Sequence, residues 1–182
     1  MALEFTTSCL HDSISLFRYY QNLGEKAIAQ LSEERQSKQM DPEMNSVAQI
    51  VKHMAGNMRS RWTGFPEADG EKPDRNRDRE FDQPPTTRAQ VMALWNDGWQ
   101  RVYAALEPLS DSDMGKRTNI RGEGHSIMQA VHRQLGHYAY HVGQIVFLAK
   151  HLRGAEWESL SIPRGRSADF TARVKRGEAS QR

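Results

Sequence analysis

The chain has 182 residues, 37% hydrophobic and 26% charged, which is long enough to bury a real core and too apolar for a disordered segment. Its formal net charge of +2 provides no general electrostatic footprint for nucleic acid or a membrane surface. Cys9, the single cysteine, excludes an intramolecular disulfide and a cysteine-rich zinc site.

The first residues, Met-Ala-Leu-Glu-Phe-Thr-Thr, show no basic region followed by an apolar stretch, so no secretory leader is expected. The longest apolar run, residues 145–149, is far short of the roughly 20 residues a spanning helix needs. The expectation is a cytoplasmic protein forming one domain over residues 1–182, with a bundle at 8–152 and a docked tail at 153–182. A mean hydropathy of -0.77 calls for an economical core and long polar connections.

Residues 8–35 predict a first helix, because Leu10, Ile14, Phe17, Tyr20, Gly24, Ala27 and Leu31 recur at spacings of three and four. Gly24 weakens that helix and suits the close approach of a neighbour. Asp41-Pro42 marks a turn, and Ser46 with Gln49 forms a capping box that opens a second helix. His53, Asn57 and Arg61 follow one another at four-residue spacing, a polar line beside the apolar stripe.

Between residues 64 and 86 the periodicity vanishes. Two readings of the charged run Arg75-Asn76-Arg77-Asp78-Arg79-Glu80 are open: a solvated ion-pair cluster, or arginines brought over the mouth of a site to hold an anion. Thr87 and Gln90 cap a third helix that carries Val91, Leu94, Trp95, Trp99, Val102, Tyr103 and Leu106 and stops before Pro108. Residues 109–125 are turn-rich, with a short extended piece at 117–121. Ser126 and Gln129 cap a fourth helix that runs to about residue 152, and an irregular tail follows.

On the fourth helix, His137 and His141 lie one turn apart on a stripe with Ala130, Gln134, Ile145 and Leu148. That spacing suits two imidazoles on one metal ion and equally suits two core histidines satisfied by hydrogen bonds. A three-histidine set leaves a position for water or substrate; Asn57, Gln134 and Gln144 are candidate partners for the outer ring nitrogens. The pattern is His-Tyr-Ala-Tyr-His, without the glutamate of the His-Glu-x-x-His proteases. Gly136 and Gly143 leave room for a neighbouring helix or a ligand.

The segment Ser46-Val47-Ala48-Gln49-Ile50-Val51-Lys52-His53-Met54, taken with His137-x-x-x-His141-x-Gly143-Gln144-Ile145, resembles the DinB-like superfamily of three-histidine, metal-binding four-helix bundles. The likeness covers residues 8–152. Asn57-Met58-x-Ser60-Arg61-Trp62, Asp69-Gly70-Glu71-Lys72-Pro73, Asn76-Arg77-Asp78 and Ser161-Ile162-Pro163-Arg164-Gly165 look like a branch described as a domain of unknown function.

The resemblance implies an all-α four-helix bundle with a long polar connection between its second and third helices. It implies His53, His137 and His141 as ligands of a divalent ion, nickel or zinc, and a homodimer. Characterised relatives use low-molecular-weight thiols, which makes a thiol S-transferase the first expectation, with Asn57, Arg61 and Arg77 orienting a small anionic substrate or thiol. A metal-dependent hydrolase, or a stress-response protein that binds a metal or small ligand without turnover, are the alternatives. No nucleic-acid or membrane partner is expected.

Overall fold

Helix starts are written locally in this chain. In the computed structural model, which describes residues 7–180, Ser8 opens α1 (Cys9–Ala29) by accepting from the His11 N–H. Nearly all of the stretch read for a leader lies outside the described residues. The first helix ends at Ala29 and does not run to residue 35. Ser32 caps a separate short helix, α2 (Glu33–Ser37), whose buried Gln36 turns back to donate to the carbonyls of Ile28 and Leu31. Side chains thereby satisfy carbonyl groups left open where α1 stops.

Three capping boxes then stand where the periodicity places them. Ser46 and Gln49 open α3 (Val47–Trp62), Thr87 and Gln90 open α4 (Arg88–Leu106), and Ser126 and Gln129 open α5 (Ile127–Arg153). Arg88, first residue of α4, reaches back to the same carbonyls of Ile28 and Leu31.

The four long helices form the bundle: α1 packs along α5, α3 along α4, and contacts between α3 and α5 join the pairs. Their apolar stripes meet in an aromatic centre, with the Tyr138 ring 5.7 Å from Phe17 and 5.5 Å from Trp99. Trp62 Nε1 donates to the Tyr138 hydroxyl at 2.9 Å, and that hydroxyl donates to Asn57 Oδ1 at 3.2 Å. A Cβ at Gly24 would stand 2.5 Å from the Trp95 ring, so the indole lies directly on the α1 backbone.

Between α4 and α5 the extended piece becomes β1 (Arg117–Ile120), paired antiparallel with β2 (Glu123–Ser126) through a turn with positive φ at Arg121 and Gly122. Asp69 binds the long connection to this hairpin: its carboxylate accepts from the backbone N–H groups of Arg121 at 2.8 Å and Gly122 at 2.7 Å. The C-terminal segment is less irregular than expected, since it contains α6 (Ser167–Lys175). Trp157 and Leu160 pack on the bundle core, and Gln30 exchanges two hydrogen bonds with the Glu158 backbone. No helix among the described residues is long and apolar enough to cross a membrane.

Candidate metal centre

Packing α3 against α5 brings His53 to the pair on the last helix. One ring nitrogen from each of His53, His137 and His141 lies within 4.8 Å of the other two. The Nε2 atoms of His137 and His141 are 3.2 Å apart. His53 is buried, 4% exposed, and the other two are half-buried.

The outward nitrogens of two of these rings are held. His53 Nδ1 lies 2.8 Å from Glu80 Oε2, and His141 Nδ1 lies 2.8 Å from Gln144 Oε1. With protons on those two Nδ1 atoms, Nε2 is the nitrogen of each ring left with a lone pair for a metal ion. His137 Nδ1 is buried without a hydrogen-bond partner among the described residues. Burial first, then the neighbouring rings of His141 and His53, lowers His137 to a pKa of about 3. Burial likewise lowers His141 to about 4. Both are therefore neutral near pH 7, the form that binds a metal ion.

Glu80 comes from the aperiodic connection and was not foreseen. Lys52 donates to the backbone carbonyls of Arg79, Asp82 and Gln83, and Gln49 donates to that of Phe81 at 2.9 Å, so α3 holds this segment along its own side. The Phe81 ring stacks on His53 with centroids 4.9 Å apart. A Cβ at Gly56 would stand 2.4 Å from Glu80 Oε1: the glycine is what lets the carboxylate lie against α3.

Arg75 completes the pair, its Nε 2.8 Å from Glu80 Oε1 and its Nη2 3.1 Å from Oε2. Burial opposes ionisation of Glu80, but the hydrogen bonds from His53 and Arg75 outweigh it and hold the carboxyl below its ordinary range. The charged run is thus divided, in line with neither reading as a whole. The Arg75 and Glu80 side chains are only 2% and 8% exposed, Asp78 and Arg79 face solvent, and Arg77 lines the cavity.

A cavity of about 710 Å³ opens onto the histidines and is also lined by Asn57, Arg61, Arg77 and Gln134. Gln144 partners a histidine as expected; Asn57 and Gln134 do not. Asn57 Oδ1 is taken by Tyr138, and Gln134 Oε1 is buried with no partner among the described residues. Arg61 gives its Nη1 to the Gly70 carbonyl and to Glu71 Oε2 at 2.9 Å. Burial lowers its pKa, with Glu71 opposing the shift. A Cβ at Gly136 or Gly143 would meet no atom within 4 Å among the described residues, so neither glycine seats another of the described helices. Glu123 and His125 bond to each other on the hairpin, away from the cavity lining.

The donor set fits a divalent ion. Three imidazoles converge, two are oriented by oxygen acceptors, and a separation of 3.2 Å between two Nε2 atoms is compatible with bonds of about 2.0–2.1 Å to one ion. Fold and site define an all-α helix bundle with three converging histidines, and the cluster fits a metal-binding protein. The chain belongs to the family described as "Protein of unknown function (DUF1572)", which matches residues 4–166. It is similar in fold to the crystal structure of a DinB-like protein from Bacillus cereus ATCC 10987, with a TM-score of 0.54 and 17% identity over 76% of this chain and 89% of that one. No curated protein matches it.

Proposed function

We propose that the protein is a metal-dependent enzyme of the thiol S-transferase type, with His53, His137 and His141 holding a nickel or zinc ion. The observation that carries this reading is the convergence of three ring nitrogens at a cavity while Glu80 and Gln144 orient two of the rings from behind. A divalent ion, when bound, supplies Lewis acidity that favours the thiolate form of a thiol. The chain's own part is to keep the imidazoles neutral and aimed, and to line the thiol's approach with cationic groups. Hydrolysis calls for a base free to take a proton from water. Glu80 is the buried carboxylate at hand, and both its oxygens are already bonded to His53 and Arg75, which supports transfer over hydrolysis.

Metal analysis of the purified protein tests the centre. His137→Ala and His141→Ala should each lose bound metal while remaining helical by circular dichroism; unchanged metal content in the folded variants would sink the reading. Conjugation of glutathione, mycothiol and bacillithiol to a model electrophile, with and without chelator, then tests the reaction. Metal-dependent conjugation by at least one thiol supports the transferase. Metal-dependent ester cleavage without conjugation points to a hydrolase, and neither activity points to a metal-binding protein without turnover.

A further inference from the structure

Among the described residues, the cavity over the histidines is lined by five arginines, Arg61, Arg75, Arg77, Arg121 and Arg133, and by no aspartate or glutamate. Two carboxylates behind the lining answer three of them. Glu71 pairs with Arg61 at 2.9 Å, Arg75 at 3.4 Å and Arg121 at 3.2 Å, and Glu80 pairs with Arg75. Arg77 and Arg133 enter no ion pair among the described residues.

Both unanswered arginines have a fixed base. Arg133 is on α5, one turn before His137. Arg77 lies two residues before the segment that Lys52 and Gln49 tie to α3, and its guanidinium stands 5.6 Å from the centroid of Phe81, the ring stacked on His53. A concave wall carrying one sign of charge focuses that charge on whatever enters. Neutral imidazoles would add none of the negative charge that carboxylate ligands bring to a metal. Arginine forks match carboxylate and phosphate oxygens.

We propose that the cavity binds a small oxyanion carrying two or more negative charges, as carboxylate or phosphate groups, and that Arg77 and Arg133 grip it. This deepens the proposed function by naming the charge class of its substrate, and it rests on that reading only for which end of the anion reacts.

Calorimetry on the full-length, metal-free protein tests it, with propane-1,2,3-tricarboxylate and pyrophosphate as probes and the neutral triamide of the first as control. At least one anion should bind, and the triamide should not. Arg77→Gln and Arg133→Gln should each weaken the anion about tenfold, and higher ionic strength should weaken it further. Arg101→Gln, at a surface pair with Asp97, should leave binding unchanged. Preference between the two probes tells carboxylate from phosphate. Equal binding of the triamide, indifference to both cavity substitutions, or no binding of either anion overturns the proposal. Metal content measured on the protein as purified, before the metal is stripped for calorimetry, separates the two ideas. Protein that holds metal but no anion refutes this inference alone; protein that holds the anion but no metal refutes the metal centre alone.

Discussion

Glu80 Oε2 stands 2.8 Å from His53 Nδ1 across 27 positions of the chain, and Arg75 holds the same carboxylate from its other side. A histidine that looked like the solitary member of the triad is therefore the most firmly oriented one. The charge that orients it is itself almost wholly enclosed.

Replacing Glu80 by glutamine keeps the shape and removes the charge. Arg75, 2% exposed, is then left with Glu71 at 3.4 Å as its only carboxylate, so unfolding free energy should fall by about 3 kcal/mol in urea titrations. Metal affinity, read by competition with a chelator, should fall about 10–100-fold because the His53 ring loses its anchor. Parent-like affinity in Glu80→Gln would show that His53 needs no such support.

Gly56→Ala should be harmful even though alanine is the better helix former by about 1 kcal/mol. Its Cβ would stand 2.4 Å from Glu80 Oε1 and must push the carboxylate off His53. A double-mutant cycle makes the point sharply: in a Glu80→Ala background the same substitution should become neutral or stabilising. Simple additivity of the two changes would separate Gly56 from Glu80.

Tyr138→Phe removes the hydroxyl that receives Trp62 Nε1 and donates to Asn57 Oδ1 in the buried centre. Two polar groups lose their partner, at a cost of about 1–3 kcal/mol in unfolding experiments. Metal affinity should stay at the parent value, because this chain of hydrogen bonds does not touch the histidine nitrogens. A large loss of metal in a folded Tyr138→Phe protein would contradict that separation.

Asp69 sets a dependence on acid. The backbone N–H groups of Glu71, Gly122 and Arg121 hold its carboxyl below the ordinary value of 3.8. A carboxylate with a depressed folded pKa contributes stability that is complete above its unfolded value and is lost as pH falls through the folded one. Asp69→Asn should therefore be less stable than the parent by about 1 kcal/mol near neutral pH. The difference should hold down to a pH of about 4 and shrink below it. A gap that widens in acid would reverse the assignment.

Much of the bundle was legible in advance because its signals are short-range. Ser46 with Gln49, Thr87 with Gln90, and Ser126 with Gln129 each act over three residues, and all three pairs form the caps expected of them. Leu31 shows where periodicity misleads. It keeps the spacing of the first helix and is buried, yet it lies past the end of α1, where Ser32 starts a new helix. The connection at 64–86 offered no period to read, so Arg75 and Glu80 looked like any solvated charge pair.

Sequence alone determined where the four long helices start, the one-turn spacing of His137 and His141, and the placing of Gln144 one turn from His141, since a helix relates residues three and four apart by its own geometry. Tertiary structure decided the rest. It brought His53 to that pair, turned Glu80 inward over Gly56, buried Arg75, and left Arg77 and Arg133 unanswered at the cavity. These contacts join distant parts of the chain, and packing and the burial of charge select among many possible partners that no local spacing distinguishes.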